Sequence, residues 1–151
     1  MNYWLVKSEP DTFSFDDLKK IKNKTTSWEG VRNYQARNFL KTMKLNDLVF
    51  FYHSVQKPTA IVGITKVVKE FYPDKTQFDT TNKYYDPKST KDNPRWFMVD
   101  LKYQSEFNQP ITLEEIKEID GLENMYLLKN SRLSVQPVTE SEWNILTNFR
   151  K

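Results

Sequence analysis

Hydrophobic residues along the chain fall into short continuous runs and one longer stretch with helical spacing. Short, largely apolar runs between turn residues predict buried strands. Five segments fit this pattern: residues 3–7, 48–54, 60–68, 95–101 and 133–138. Gly63 lies inside the third segment and predicts a bulge or a close approach of another chain segment.

Helices are predicted where a hydroxyl residue precedes an acidic residue by three positions. This spacing is typical of a capping box, in which each residue satisfies the backbone N–H of the other. It predicts short helices starting after Thr112 and Thr139, and Ser14 with Asp17 predicts another. A longer helical stripe covers residues 31–43.

The order of these elements predicts the fold class. Strands do not alternate with helices, so the pattern favours a mixed α/β (α+β) domain with an antiparallel or mixed curled sheet. At 151 residues the chain fits a single domain, residues 1–151. Residues 74–93 are polar and rich in turn residues, but their aromatic side chains predict packing rather than disorder.

Composition excludes several kinds of chemistry. The chain has no cysteine and one histidine, so disulfides, thiolate nucleophiles and cysteine-ligated zinc are excluded. Its three glycines form neither a P-loop nor a dinucleotide-binding motif. We therefore expect no metal and no cofactor. With no signal-like start and no long apolar run, we expect a soluble cytoplasmic protein with no membrane partner, nuclear or nucleoid-associated if it binds DNA.

Positive charge is concentrated in one part of the chain. Residues 19–44 contain eight basic residues and one acidic residue, whereas residues 101–151 contain six basic and eight acidic residues. Taken alone, such a run is explained better by a solvated helix face than by nucleic-acid binding. The aromatic and amide residues between these charges favour a polyanionic partner.

The stretch of residues 28–38 carries the most unusual chemistry. Trp28 is suited to stacking on a nucleobase, although a core tryptophan is the alternative. Gly30 either lets the backbone approach a ligand or only makes a turn. Arg32 and Arg37 are suited to phosphate contacts, with a carboxylate partner or solvation as the alternative. Asn33 either pairs with a base edge or caps the helix.

Several motifs occur in an order that resembles the EVE domain family, including its thymocyte nuclear protein group. They are residues 7–10, Trp28 with residues 30–38, and residues 51–54, 84–88, 94–96 and 132–138. The resemblance covers essentially the whole chain. It implies a PUA-like fold, a curled β-barrel of about five to six mostly antiparallel strands flanked by helices. It also implies a relationship to the YTH readers of methylated adenine.

The resemblance further implies where a base would bind. Carried over residue by residue, the base pocket consists of Ser8, Glu9, Trp28, Glu29, Gly30, Val31, Asn33, Tyr52, His53 and Ser54. The phosphate contacts and the groove are expected at Lys7, Arg32, Arg37, Tyr85 and Lys88, with Tyr84 beside them. For Tyr84, Tyr85 and Lys88, packing of their segment onto the barrel is an equal alternative.

The resulting prediction is a binding module without catalysis. It would take a flipped base into an aromatic pocket and read methylated or hydroxymethylated cytosine or methylated adenine in DNA or RNA. We expect a monomer that acts through an effector protein. Two alternatives stay open: an RNA-binding PUA-like domain without modification preference, and a nucleic-acid-modifying enzyme that uses His53.

Overall fold

A six-stranded sheet forms the centre of the fold in the computed structural model, which describes residues 1–150. Its strands are β1 (Tyr3–Ser8), β2 (Thr25–Ser27), β3 (Leu48–His53), β4 (Ala60–Pro73), β5 (Phe97–Thr112) and β6 (Val135–Val138). They are ordered β2-β5-β4-β3-β1-β6, and only β1 and β3 pair in parallel. The predicted mixed, mostly antiparallel sheet is confirmed.

Five α-helices surround the sheet within residues 1–150: α1 (Phe15–Lys20), α2 (Tyr34–Thr42), α3 (Leu113–Glu118), α4 (Tyr126–Lys129) and α5 (Glu140–Phe149). The three predicted capping boxes are all present, at Ser14, Thr112 and Thr139. Helix α2 begins three residues later than predicted because Asn33 caps it. No helix of this part of the chain is both long and apolar enough to cross a lipid bilayer.

The two faces of the sheet pack into two separate hydrophobic cores. Because side chains alternate along a strand, Phe50 and Phe51 of β3 belong to different cores. The first core contains Phe51 together with Trp28 and residues of α1 and α2. The second contains Phe50, stacked on Trp143 of α5 at 3.9 Å. Helix α2 packs against both β5 and β6, so it bridges distant strands of the curled sheet.

Some elements differ from the prediction in length or were not predicted. Strand β4 continues beyond residue 68 to Pro73, and β5 continues beyond residue 101 to Thr112. The added residues are mostly exposed, and in each strand they pair with the predicted part of the other strand. Strand β2 has only three residues and pairs with β5, a contact between distant parts of the chain. Helix α4 has four residues. Elements this short carry too little periodicity to be predicted.

Gly63 lies at a close approach of two elements, as predicted. A Cβ at this position would lie 2.2 Å from the ring of Phe15, so only glycine leaves room for α1 to pack here. The pairing of β4 with β5 also shifts register between Ile61 and Gly63. Both expected features, the bulge and the close approach, are therefore present. They bring α1 against the strands that carry the candidate site.

Candidate nucleic-acid interface

A cavity of about 820 Å³ opens at one end of the sheet. Three segments form its sides. The first side comprises residues 7–9 with Thr12 and Phe13, the second side residues 26–32, and the third side residues 81–84, while Ser134 adds to the lining. Pockets for small ligands have volumes of roughly 300 to 1,000 Å³, so the cavity is large enough for a nucleoside.

Trp28 on the second side belongs to both the core and the cavity. Its side chain is 8% exposed and packs edge to face against Phe51, with ring centroids 5.4 Å apart. Its backbone N–H donates to the carbonyl oxygen of Val99 at 2.8 Å, which continues the pairing of β2 with β5. Trp28 also lines the cavity. The two interpretations of this tryptophan, core and pocket, are therefore compatible.

Gly30 permits a close contact between the second and third sides. Its φ of +87° lies in the left-handed region that favours glycine. A Cβ here would lie 2.6 Å from the ring of Tyr84. The Gly30 N–H donates to the Asp74 carboxylate at 2.8 Å. Glycine at this position thus sets the distance between the two sides.

Arg32 connects the second side to the third through hydrogen bonds. Its guanidinium lies 3.1 Å from the Asp74 carboxylate and donates to the Tyr84 carbonyl oxygen at 2.8 and 3.1 Å. It also donates to the Thr76 hydroxyl at 2.9 Å. Asp74 is fully buried and accepts from the backbone of Gly30 and Thr76 as well. Arg32 lines the cavity, but its donors are used within the protein.

The segment that carries the third side is held by a buried amide. The Gln77 side chain is fully buried, and its Nε2 donates to the carbonyl oxygens of Asp74 and Trp96, both at 2.8 Å. Its Oε1 accepts from the backbone N–H groups of Arg95 and Trp96. The Trp96 indole donates to Asp86 at 2.7 Å and holds the pKa of that carboxyl below its usual value. The polar excursion is packed, as predicted.

The first side is a tight turn after β1. The Ser8 hydroxyl donates to the Phe13 carbonyl oxygen at 2.5 Å, and the Glu9 carbonyl oxygen accepts from the N–H groups of Thr12 and Phe13. The Lys7 ammonium donates to the carbonyl oxygen of Ser131 at 2.5 Å. Burial lowers the pKa of Lys7. Its charge faces the cavity but is anchored to the segment before β6.

Two carboxylates in the lining have no internal partner. Glu9 and Glu29 are exposed, and no side-chain hydrogen bond or salt bridge within residues 1–150 uses either carboxylate. Carboxylates accept hydrogen bonds from exocyclic amino groups of bases. The cavity therefore combines aromatic surface with acceptors suited to an amino-bearing base.

Four residues predicted in the base pocket lie outside the cavity lining: Asn33, Tyr52, His53 and Ser54. The Asn33 side chain accepts from the Ala36 N–H at 2.9 Å and caps α2. Tyr52 is buried in the second core, on the opposite face of β3, and burial raises its pKa. The capping alternative therefore describes Asn33, and strand alternation places Tyr52 away from the cavity.

His53 and Ser54 support the first side from outside. The Nε2 atom of His53 accepts from the Phe15 N–H at 3.0 Å, at the start of α1. Burial lowers the pKa of His53, which favours the neutral ring that this bond requires. The Ser54 N–H donates to the Ser8 carbonyl oxygen at 2.9 Å. Both residues position the turn that lines the cavity and do not line it themselves.

Three residues predicted at the phosphate contacts and groove also lie outside the lining: Arg37, Tyr85 and Lys88. The Arg37 guanidinium donates to the Arg95 carbonyl oxygen at 3.0 Å and lies 4.8 Å from the centre of the Tyr34 ring. Tyr85 and Lys88 are exposed on the far part of their segment. Of the candidates on that segment, Tyr84 lines the cavity.

Eight lining residues were not among the sequence candidates: Thr12, Phe13, Thr26, Ser27, Thr81, Asn82, Lys83 and Ser134. Thr26 and Ser27 directly precede Trp28, so their position next to the motif was an available signal. The Asn82 side chain accepts from the Tyr84 N–H at 2.9 Å, which shapes the third side. No periodicity marks that segment. In residues 1–150, no cluster of three or more acidic or histidine side chains is arranged to hold a metal.

Known proteins resemble this chain over nearly its full length. Thymocyte nuclear protein 1 of mouse is 46% identical over 167 aligned residues, which cover 99% of this chain and 74% of the mouse protein. A crystal structure of human THYN1 protein in complex with 5-methylcytosine containing DNA matches with a TM-score of 0.96 and 44% identity, covering 99% of this chain and 97% of the human one. A protein from Leishmania major matches with a TM-score of 0.93 and 45% identity, covering 99% and 94%. The family model described as EVE domain matches residues 2–149, and the chain therefore belongs to the EVE domain family.

Proposed function

We propose that this protein binds DNA and takes a modified base, methylated cytosine being the first candidate, into the cavity beside Trp28. The observation that carries the proposal is the joint placement of residues 7–9 and 26–32 around one cavity. It is supported by the match to human THYN1, which is described in complex with 5-methylcytosine containing DNA.

The lining residues suit such a base in both shape and chemistry. Trp28, Phe13 and Tyr84 offer aromatic surface, and stacking on an aromatic side chain contributes about 1 to 3 kcal/mol per base. The carboxylates of Glu9 and Glu29 are acceptors for the exocyclic amino group of cytosine. An extra methyl group in an apolar pocket adds roughly 1 to 3 kcal/mol. Aromatic contacts would hold the ring, and the carboxylates would favour a base with an amino group.

The alternative of an enzyme using His53 is weakened by the position of that ring. The His53 ring lies outside the cavity and accepts a backbone hydrogen bond. Binding without catalysis therefore accounts for the site with fewer assumptions. RNA binding without modification preference is the second candidate, and the experiment below separates the two. The predicted monomeric state and effector protein partner stay predictions.

The test is a binding titration with short fluorescent oligonucleotides at one fixed salt concentration. Single- and double-stranded DNA and matching RNA would carry cytosine or adenine, each plain and methylated, and cytosine also hydroxymethylated. We expect methylated cytosine in DNA to bind about tenfold to two-hundredfold more tightly than plain cytosine. Equal affinity for all DNA forms would overturn modified-base reading. Tighter binding of plain RNA would favour the second candidate.

Two conservative substitutions locate the base within the cavity. Glu9→Gln and Glu29→Gln each replace an exposed carboxylate by a neutral amide of the same shape, so the fold is not affected. We expect one or both to weaken binding of methylcytosine DNA by about tenfold, because a good base-edge pair contributes about 1 to 3 kcal/mol. The matched control is Glu118→Gln, an exposed glutamate on α3 outside the cavity. An unchanged affinity in both variants would place the base elsewhere.

The role of Trp28 requires a substitution that spares the core. Because this side chain is buried against Phe51, Trp28→Ala is expected to lower the free energy of unfolding by about 3 to 5 kcal/mol. Trp28→Phe keeps an aromatic ring in both the core and the lining. We expect Trp28→Phe to stay folded at 25 °C by circular dichroism and to bind methylcytosine DNA several-fold more weakly. An unchanged affinity would show that the base does not stack on the indole.

A further inference from the structure

A second depression, the basic groove, lies beside the cavity. It has a volume of about 340 Å³ and is formed by Asn33 and Gln35 at the start of α2 and by residues 129–133. Leu133 is its one apolar lining residue, and no acidic residue lines it. The groove therefore offers amide, hydroxyl and cationic groups without a competing carboxylate.

The basic groove and the cavity are contiguous along the chain and in space. Arg32 lines the cavity and the next residue, Asn33, lines the groove. The same holds for Ser134 and Leu133. The Lys7 ammonium, in the cavity lining, donates to the carbonyl oxygen of Ser131 in the groove. A nucleic-acid strand with one nucleotide in the cavity would therefore place the neighbouring nucleotide at the groove.

The two cations of the groove are available to a ligand. Lys129 and Arg132 are exposed, and neither forms a salt bridge or a side-chain hydrogen bond within residues 1–150. In contrast, Arg32 is paired with Asp74, and Arg37 donates to the carbonyl oxygen of Arg95. The arginines that the charge pattern pointed to are used internally, whereas Lys129 and Arg132 are free.

A buried side chain behind the groove holds its backbone in place. Gln136 is fully buried, and its Nε2 donates to the carbonyl oxygens of Asn130 and Leu133 at 3.0 and 2.9 Å. The Leu133 N–H closes the turn by donating to the Asn130 carbonyl oxygen at 3.1 Å. The segment is therefore ordered before a ligand arrives, which lowers the entropic cost of binding.

We propose that the basic groove binds the phosphodiester backbone next to the base in the cavity, with Lys129 and Arg132 donating to phosphate oxygens. This inference rests on the proposed function. Phosphate contacts fix the register of a nucleic acid on a protein and carry no sequence information. The groove would hold the strand, and the cavity would read the base.

Salt dependence tests the groove independently of base reading. For duplex DNA, the logarithm of the binding constant falls with the logarithm of salt concentration by about 0.9 per phosphate contact. The double variant Lys129→Gln, Arg132→Gln is therefore expected to reduce this slope by up to about 1.8. Relative to 1 M salt, a slope change of about 1.8 corresponds to an affinity loss of up to about thirtyfold at 0.15 M salt. Plain and methylated DNA should lose affinity equally.

The matched control removes the same charge elsewhere. Lys57 and Lys117 are exposed, form no salt bridge within residues 1–150, and line neither the cavity nor the groove. Lys57→Gln, Lys117→Gln should leave the salt slope within about 0.3 of wild type, as expected for charges that contact no phosphate. Equal slopes for the two double variants would overturn the groove proposal and show only an effect of net charge.

The possible results separate this inference from the proposed function. If the groove double variant has a smaller salt slope on DNA but the wild type binds plain and methylated DNA equally, the groove is supported and modified-base reading is overturned. If the double variant keeps the wild-type salt slope while the wild type prefers methylcytosine DNA, the groove proposal alone is overturned. No binding to any oligonucleotide would overturn both.

Discussion

The second and third sides of the cavity are built in different ways. The second side begins within β2, and its position is set by backbone pairing with β5, including the bond from Trp28 to Val99. The third side, residues 81–84, belongs to no strand. Arg32 donates to its Tyr84 carbonyl oxygen, Asp74 pairs with that arginine, and the buried Gln77 side chain fixes the neighbouring backbone. One side is therefore as stable as the sheet, and the other depends on a few side-chain hydrogen bonds.

The comparison shows how a charged motif contributes to a binding site without contacting the ligand. Arg32 donates to Asp74, Thr76 and the carbonyl oxygen of Tyr84, so it fixes the third side relative to the second. Asp74 is fully buried, and leaving a buried charge without its partner is costly. The width of the cavity thus depends on an ion pair.

The largest effect is expected for Asp74→Ala. The variant leaves the Arg32 guanidinium and the N–H groups of Gly30 and Thr76 without their acceptor. Breaking a buried ion pair lowers the free energy of unfolding by about 3 to 5 kcal/mol. Urea unfolding monitored by tryptophan fluorescence measures this loss. Oligonucleotide binding, measured where the variant is still folded, should also weaken because the third side is released.

The control for Asp74 is an aspartate with the same side chain and no buried contacts. Asp92 is exposed, and Asp92→Ala should change the free energy of unfolding by no more than about 0.5 kcal/mol. A loss of similar size in both variants, or full stability of Asp74→Ala, would contradict the role of Asp74 in joining the two sides.

The difference between the two sides also explains which parts of the site could be predicted. Trp28 and Gly30 stand in a contiguous motif, so their proximity follows from the sequence alone. Residues 81–84 have no periodicity, and their place depends on hydrogen bonds between the Gln77 side chain and the backbone of Arg95 and Trp96. Such pairings leave no local pattern. The third side was therefore anticipated only through Tyr84.

Fold prediction shows the same division between local and distant interactions. The capping boxes at Ser14, Thr112 and Thr139 were predictable because each is complete within four residues. Strand β2 was not, because three polar residues become a strand only by pairing with β5. β1 and β3 pair in parallel, which places Tyr52 next to Lys7 and His53 next to Ser8. The proximity of these two motifs does not determine which of their side chains face the cavity.

An intermediate effect is expected for Gly30→Ala, which strains the contact between the two sides. Alanine at φ +87° costs about 1 to 2 kcal/mol, and its Cβ would also press on the Tyr84 ring. We expect a loss in the free energy of unfolding of about 2 to 3 kcal/mol. We also expect weaker binding of methylcytosine DNA, because the third side must move. Thermal unfolding and the binding titration measure the two effects.

Gly121→Ala is a matched control for this backbone strain. Gly121 has a similar φ of +97°, but its Cβ would meet the flexible end of Ile145, far from the cavity. It should lose about 1 to 2 kcal/mol of stability and bind DNA like wild type. Equal binding by both alanine variants would show that the spacing of the second and third sides does not control the site.

The smallest effect concerns the first side and its support by His53. The neutral ring accepts from the Phe15 N–H, and burial lowers the pKa of His53, while the nearby Asp16 carboxylate opposes this shift. Because the unfolded chain binds the proton more readily, the stabilisation is complete above the unfolded pKa of about 6.5. It is lost as the pH falls below that value. The loss should not exceed about 1 kcal/mol, the net value of one hydrogen bond.

His53→Gln isolates this contribution, since the glutamine Oε1 can replace Nε2 as the acceptor but does not titrate. The free energy of unfolding, measured in urea between pH 5 and 8, should fall toward pH 5 more steeply in wild type than in the variant. Carboxylates with lowered pKa values, such as Asp17 and Glu115, are common to both proteins and cancel in the difference. Parallel profiles would mean that His53 does not support the first side by this bond. Because the histidine stands behind the cavity, methylcytosine binding at pH 7.5 should be unchanged in His53→Gln, whereas a catalytic or base-reading histidine would not tolerate the exchange.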